Sequence, residues 1–144
     1  MFWHGSDDEA GRPGSLRDED VELELDQGTF VLRTPVRPSR ANHTFNGIMF
    51  DVHNNGIEDV VVTHVVVGGE IGDYSIYHRP DGIQAGYKEA SDWTVCAAGF
   101  AEPNWHGTEL PLQTPVVIQA GKIEALYIHS TADHDRSIAY QRYA

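Results

Sequence analysis

From residue 42 onward, the chain consists of short apolar runs divided by residues that form turns. The run 47–53 precedes Asn54-Asn55-Gly56, and the valine-rich run 57–67 precedes Gly68-Gly69. Runs rich in β-branched residues that recur about every ten residues are typical of antiparallel sandwiches and barrels. No window carries an apolar stripe with the period of a helix. The sequence therefore predicts an all-β fold, an antiparallel, jelly-roll-like β-sandwich with very little helix.

Two of these runs predict which strand faces are covered. Valines occupy both odd and even positions of the run 57–67, which favours a strand covered on both faces. His64 within it is expected to be a hydrogen-bonded core or interface residue. The run 93–100 predicts a strand with Trp93, Val95 and Ala97 on one side.

The last third of the chain predicts further short strands. Residues 109–112 and 115–118 are expected to form two strands around Gln113-Thr114, and residues 137–143 to form the last. The run 123–130 alternates, which places Tyr127 and His129 on one face and Leu126 and Ile128 on the other.

The first part of the chain differs in character. Residues 1–20 are rich in Gly, Asp and Glu without an apolar period, which indicates a disordered or loosely docked acidic tail. Residues 21–33 alternate around Asp26-Gln27-Gly28, which predicts a β-hairpin. The predicted organisation is this tail followed by one β-sandwich domain over 21–144, to which 21–33 could be an added hairpin.

The charge balance excludes several classes of partner. The chain has 22 acidic and 10 basic residues, a net charge of -12. Nucleic acids and anionic membrane surfaces require positive protein surfaces, and no apolar stretch approaches the ~20 residues of a membrane span. An acidic surface is compatible with cations and with neutral ligands such as sugars.

Cysteine usage and the first residues leave the compartment open. Cys96 is the single cysteine, so no disulfide can form within the chain. It is expected to be a small, buried, unreactive residue. No signal peptide is visible, because no basic region precedes an apolar one near Met1.

Aromatic residues between 74 and 105 form the strongest candidate for a ligand site. Aromatic rings can cover the apolar C–H faces of sugars, while neighbouring carboxylates and amides bind hydroxyl groups. Tyr87 and Trp105 are expected in loops. The predicted ligand-binding residues are Tyr77, Asp81, Tyr87, Trp93 and Trp105.

A metal site is the second candidate. The chain has eight histidines but no His-x-His motif, and a transition metal could use His129, Asp133 and His134. An ordinary solvated turn is the competing interpretation. Calcium could also bind to the carboxylates of Asp51, Glu70, Asp73 and Asp81, although no spaced calcium loop is present. The chain carries no Gly-x-Ser-x-Gly motif, and no catalytic residue or required cofactor is predicted.

An ordered series of motifs resembles uncharacterised β-sandwich modules of large algal and bacterial multidomain proteins, which are loosely similar to PHR domains. The resemblance implies a non-catalytic recognition fold and no catalytic residue. Such modules continue with further strands, and an uncompleted sheet edge would invite self-association. The motifs are Gly47-Ile-Met-Phe-Asp-Val52, Val60 to Val67, Ile76-Tyr-His-Arg-Pro80, Gly82, Gly86-Tyr87, Trp93, Leu110-Pro-Leu112, Ile118-Gln-Ala-Gly121 and Leu126-Tyr-Ile128.

Three functional hypotheses follow from the sequence. The first is a non-enzymatic module that recognises a glycan or a protein through aromatic and acidic loops. The second is a metal-dependent jelly-roll enzyme that uses a histidine cluster. The third is a structural subunit of a larger assembly, in which Phe2-Trp3 and an exposed sheet edge make contacts.

Overall fold

The computed structural model describes residues 22–26, 29–33 and 43–140. Two short 3-10 turns lie at Ile83–Ala85 and Ala90–Asp92, and these residues contain no α-helix. The tail 1–20, including Phe2-Trp3, lies outside the described residues. The strands are β1 (Glu22–Asp26), β2 (Thr29–Arg33), β3 (His43–Phe45), β4 (Gly47–His53), β5 (Val60–Gly69), β6 (Gly72–Pro80), β7 (Thr94–Ala101), β8 (Asn104–Ile118), β9 (Ile123–Ser130) and β10 (Ile138–Tyr140).

Eight of the strands form two sheets through nested antiparallel pairs. Strand β3 pairs with β10, β4 with β9, β5 with β8, and β6 with β7. Pairing of β10 with β5 and of β9 with β6 completes sheet A (β3-β10-β5-β8) and sheet B (β4-β9-β6-β7). Nested pairs of this kind are the topology of a jelly roll, and the predicted all-β antiparallel sandwich is confirmed.

The hydrophobic core lies between the two sheets. Strand alternation sends one side of each strand inward, and most strands of the two sheets contribute core residues at alternating positions. Truncating a fully buried residue such as Phe50 to alanine would cost about 3–5 kcal/mol. The largest fully buried apolar residues of this core are Phe50, Val65, Ile71, Ile76, Leu110, Val116, Ile118, Leu126, Ile128 and Ile138.

The outward face of sheet A is open to solvent. Strand β5 begins three residues later than the run 57–67, and on it Val61 is 53% exposed. His64 is also exposed, 3.4 Å from the carboxylate of Glu109. The prediction that both faces of this strand are covered is wrong, because a two-layer sandwich packs only one face of each sheet.

A β-bulge changes the faces of β7. The register with β6 shifts between Ile76 and Tyr77, so that Ala97 lies opposite Ile76 and Val95 opposite Tyr77. Ala97 is buried, whereas Val95 is 55% exposed. The prediction that Val95 and Ala97 share one side is therefore wrong, since a bulge reverses the alternation. Cys96 is buried, and burial raises the pKa of its thiol to about 11, which confirms the expected buried residue.

One long strand replaces two predicted short ones. Strand β8 has 15 residues and runs through Gln113-Thr114, which was expected to separate two short strands. The Gln113 side chain bridges to the edge strand of sheet B: its Nε2 donates to Ala98 O at 2.8 Å, and Ala98 N donates to its Oε1 at 3.0 Å. Trp105 lies in this strand, not in a loop.

Other elements agree with their predictions. The alternation over 123–130 is confirmed, because Leu126 and Ile128 are fully buried while Tyr127 and His129 are half-buried on the opposite face. The hairpin β1–β2 is present, with β1 and β2 antiparallel. Strand β10 covers the first part of the predicted run 137–143, and residues 141–143 lie outside the described residues.

Candidate functional site: the outward face of sheet B

The outward face of sheet B carries a row of apolar and aromatic residues across all four strands. Met49, Tyr127, Tyr77 and Val95 occupy successive cross-strand positions on β4, β9, β6 and β7. Directly opposed residues of antiparallel strands share a face, so the row forms one surface. Tyr77 and Tyr127 are half-buried, which leaves part of each residue in contact with solvent.

The Tyr127 ring of this surface contacts the rings of Tyr77 and Trp93. The rings of Tyr77 and Tyr127 stack with centroids 5.8 Å apart and an interplanar angle of 25°. Trp93 meets Tyr127 edge-on at 5.8 Å and 61°, and the His129 ring lies 5.5 Å from Tyr127 on its other side. Such pairs are worth about 0.5–1.5 kcal/mol beyond their buried area. Tyr77, Trp93 and Tyr127 are called the aromatic cluster below.

A glycine makes room for the central ring of this cluster. A Cβ atom placed on Gly47 would lie 2.8 Å from Cε2 of Tyr127, closer than non-bonded carbon atoms approach. Any larger residue at position 47 would therefore displace the Tyr127 ring. Burial, together with the neighbouring Tyr77, raises the pKa of the Tyr127 hydroxyl, which stays protonated and available for hydrogen bonding at neutral pH.

A concave depression of about 520 Å³ lies beside the aromatic cluster. It follows a row of small residues, in which Ser75 lies opposite both His129 and Ala98. At its far side Asp73 lies opposite Phe100, which is 62% exposed. The depression is largely open to solvent. This depression, called the trough below, has solvent-facing walls formed by Asp73, Ser75, Ala98, Phe100 and Thr131.

The solvent-facing polar groups of the trough are two hydroxyls and one carboxylate, and the buried Tyr74 also lines it. Ser75 and Thr131 supply the hydroxyls, and Asp73 supplies the only ionisable side chain with a charged form at neutral pH among the wall residues. Within the described part of the chain, the Asp73 carboxylate has no hydrogen-bond donor and no ion-pair partner; its backbone carbonyl accepts from Thr131 N at 3.0 Å.

A loop over 81–93 is fastened to the same face at the other end of the cluster. Asp51 Oδ1 accepts a hydrogen bond from Ile83 N at 2.9 Å, and Ile83 is 3% exposed. Trp93 Nε1 donates to the carbonyl of Tyr87 at 3.1 Å, which holds the indole in place. Burial raises the pKa of Asp51, and the Ile83 amide and His53 oppose that rise.

The loop also covers the arginine that lies on this face. Arg79 is buried: it donates to the carbonyl of Gly86, and its Nη1 lies 3.5 Å from the carboxylate of Asp92. Its Nε has no partner among the described residues. Because the loop covers this side chain, Arg79 adds no accessible positive charge to the surface beside the aromatic cluster.

The structure brings together part of the predicted ligand site. Tyr77 and Trp93 belong to the aromatic cluster, and the Tyr87 carbonyl positions Trp93. Asp81 lies at the start of the loop with φ of 70°, and its N–H donates to Ile123 O at 3.0 Å. Trp105 is not part of this group, since it lies in strand β8 of sheet A.

Sequence reasoning missed several residues of this surface. Tyr127 and His129 were placed on a common face by alternation, but nothing in the sequence pairs that face with Tyr77. Gly47 was noted only as part of a strand motif and Asp73 only as a possible calcium ligand, so neither was assigned to this surface. Their role depends on cross-strand register, which is set by tertiary packing.

The three residues of the predicted metal site are not brought together. His129 lies against Tyr127, whereas His134 Nδ1 accepts from Arg136 N at 3.2 Å and its Nε2 is 3.8 Å from Glu70. Among residues 43–140, no three His, Cys, Asp or Glu side chains are grouped so as to hold a metal ion.

The trough also contains the residue types of a nucleophilic triad. Ser75 lies opposite His129, and Asp73 is two residues from Ser75 on the same face. Nucleophilic catalysis requires a base hydrogen-bonded to the nucleophile. Where the structure describes side chains, Ser75 and His129 share no hydrogen bond.

Comparison with known proteins adds no family. A scan against models of protein families and a search of curated proteins both find no match for this chain. In the part of the chain that the structure describes, no helix has the length and apolar character needed to cross a membrane. The geometry of the outward face of sheet B is therefore the basis of the functional proposal.

Proposed function

We propose that this protein is a non-enzymatic binding module that recognises a glycan on the outward face of sheet B. The observation that carries the proposal is the partly exposed aromatic cluster beside a trough with two hydroxyls and a carboxylate. A sugar ring has an apolar C–H face and a polar rim. Aromatic rings bind the first, and hydroxyl and carboxylate groups bind the second.

The surface is held in place before a ligand arrives. Tyr77 and Tyr127 stand on paired strands of sheet B, and Trp93 is held by its hydrogen bond to the Tyr87 carbonyl. The Asp51–Ile83 hydrogen bond attaches the loop itself to β4. Groups that are ordered in the free protein lose little entropy on binding, which favours a rigid recognition surface of this kind.

The charge of the surface favours neutral over anionic glycans. The chain carries a net charge of -12, and the trough contains a carboxylate without a basic side chain among its wall residues. Sulfated and carboxylated sugars would meet like charge at this site, which disfavours them.

The experiment is a glycan array followed by calorimetric titration of the strongest ligand. Tyr77→Ala is expected to weaken binding about tenfold, the effect of losing roughly 1.4 kcal/mol of contact energy. Val117→Ala is the matched control, because Val117 is 52% exposed on the outward face of sheet A. Unchanged affinity in Tyr77→Ala, or equal loss in Val117→Ala, would contradict the proposal.

A second titration separates the structure-based site from the wider set of residues predicted from sequence. Trp105→Ala removes an aromatic ring of sheet A and is expected to leave glycan affinity unchanged. Tyr127→Ala removes the central ring of the aromatic cluster and is expected to weaken affinity at least as much as Tyr77→Ala.

A protein partner is the second candidate for the same surface. Phe100 and Val95 are both more than half exposed beside the cluster, and exposed apolar residues of this kind also form protein interfaces. A stable protein complex buries roughly 1,000 Å² or more, far beyond the trough. Protection from hydrogen exchange that extends over all of sheet B would favour a protein, and protection confined to the trough would favour a glycan.

A further inference from the structure

We infer that the trough selects a sugar unit that carries an ammonium group, and that Asp73 is the residue that binds this group. The inference rests on the proposed glycan-binding function, because it names the class of sugar that the same site takes. The relevant features are the unpaired carboxylate, the ring opposite it, and the order of groups along β6.

The Asp73 carboxylate is free to bind a cation. Two arginines are already paired: Arg79 donates to Gly86 and lies near Asp92 under the loop, and Arg136 lies 3.1 Å from Glu70. Asp73 is exposed and has neither an ion pair nor a side-chain hydrogen bond within residues 43–140. An incoming ammonium group would therefore displace no existing partner of this carboxylate.

An aromatic ring stands directly across from the carboxylate. Asp73 and Phe100 are cross-strand partners, and such partners have Cβ atoms about 4.5–5.5 Å apart. A cation between them gains attraction from both the carboxylate and the ring, since aromatic faces attract cations by about 0.5–2 kcal/mol. A neutral sugar can donate a hydroxyl to the carboxylate and place a C–H face on the ring, but it gains neither of these charge contributions.

The order of residues along β6 matches the order of groups in an amino sugar chain. Asp73, Ser75 and Tyr77 share the outward face at intervals of about 6.6 Å, twice the rise per residue of a strand. A cation site, a hydroxyl and a stacking ring therefore follow one another in line. Thr131 adds a second hydroxyl beside Asp73, because its backbone N–H donates a hydrogen bond to the Asp73 carbonyl. Such a line suits a saccharide that bears an amino group on one unit and stacks its next unit on the Tyr77 ring.

The experiment compares glucosamine oligomers with N-acetylglucosamine oligomers of the same length, titrated into the full chain at pH 6. Amines of ordinary pKa, about 7.7 or higher, are protonated at this pH. The charge of His129, which neighbours the trough, is the same for both ligands. We expect the glucosamine oligomer to bind at least fivefold more tightly, with an advantage that shrinks at high salt.

Two variants, each of which removes one negative charge, show whether the glucosamine advantage arises at Asp73. Asp73→Asn removes the carboxylate charge but keeps the backbone bond to Thr131, and is expected to abolish the glucosamine advantage while N-acetylglucosamine affinity stays within about twofold. Glu58→Gln removes an exposed charge in the loop between β4 and β5 and is expected to preserve the advantage. Loss of the advantage in both variants would show a general charge effect and overturn the inference.

The remaining outcomes separate this inference from the proposed function. Equal affinity of the unaltered chain for both oligomers would overturn the inference and leave glycan binding intact. Binding of neither oligomer, together with no hit on the glycan array, would overturn both. A lysine-containing peptide that bound as tightly as the glucosamine oligomer would show recognition of an ammonium group without a sugar, and would also overturn the inference.

Discussion

The outward faces of the two sheets differ although the same jelly-roll topology produces both. Sheet A presents exposed valines, with Val61 directly opposite Val117, and a solvent-exposed pair of His64 and Glu109. Sheet B presents stacked aromatic rings, a trough and a fastened loop. The comparison shows that strand order determines the scaffold, while the outward residues and one loop determine where a ligand can bind.

The largest expected difference between the faces comes from Gly47 on β4. Gly47→Val would push the Tyr127 ring out of the aromatic cluster, because even a Cβ atom at this position comes within 2.8 Å of the ring. We expect a loss of glycan affinity of about thirtyfold, near 2 kcal/mol, with the fold retained. Calorimetric titration and far-UV circular dichroism check this. Full affinity in the variant would show that the position of Tyr127 is irrelevant to binding.

The next test concerns the attachment of the loop to sheet B. Asp51→Ala removes the acceptor of the Ile83 N–H, and is expected to lower the free energy of unfolding by about 1 kcal/mol. Asp51→Asn keeps an acceptor oxygen and removes the buried charge. We therefore expect it to be at least as stable as the unaltered chain at pH 7, as measured by urea unfolding.

The pH dependence of the free energy of unfolding, compared between the unaltered chain and Asp51→Asn, gives a further check on Asp51. Because burial raises its pKa in the folded state, its stabilising contribution is complete below the unfolded pKa of about 3.8 and is lost as the pH rises through the folded pKa. The stability of Asp51→Asn relative to the unaltered chain should therefore increase from pH 3.5 to pH 7. A relative stability that falls over this range would mean that the Asp51 pKa is not raised.

A smaller effect is expected where the edges of the two sheets meet. Gln113→Ala frees the backbone N–H and C=O of Ala98 on the edge strand β7, at a cost of about 0.5–1.5 kcal/mol in the free energy of unfolding. Unpaired edge groups also promote association between sheets. Sedimentation should show more self-association than in the unaltered chain, and an unchanged unfolding midpoint would indicate that the bridge contributes nothing.

The smallest effect is predicted on the open face of sheet A. Val117→Thr replaces one exposed β-branched residue with another and is expected to change the free energy of unfolding by no more than about 0.5 kcal/mol. It should leave glycan affinity unchanged. A loss of affinity in this variant would place the ligand on the wrong sheet for the proposal and would remove the distinction between the two faces.

Sequence alone predicted the parts of the fold that depend on local pattern. The strand 123–130 and the faces of its residues follow from strict alternation and a flanking turn at Gly121. Val61 and Val66 were expected to be covered but are exposed. Because β-branched residues occupy both odd and even positions of the run 57–67, the sequence does not reveal which face packs against the second sheet. Val95 and Ala97 were misplaced because a bulge leaves no mark in the sequence.

The site was predictable to a similar extent. Tyr77 and Trp93 were identified from aromatic enrichment near carboxylates, and the structure places both in the aromatic cluster. Trp105 was grouped with them because it follows them in the sequence and was expected in a loop. It lies in a strand of the other sheet. Tyr127 was not identified and Asp73 was named only as a possible calcium ligand, since the register that aligns β9 and β7 with β6 is a property of the folded molecule.

The most direct test is a backbone amide chemical-shift map of the isotope-labelled chain, titrated with the glycan that binds most tightly on the array. The account predicts that shifts concentrate at Asp73, Ser75, Tyr77 and Thr131 on the outward face of sheet B, and that Val61 and Val117 on sheet A do not move. Shifts that concentrate on sheet A instead, or that spread evenly over both faces, would contradict it.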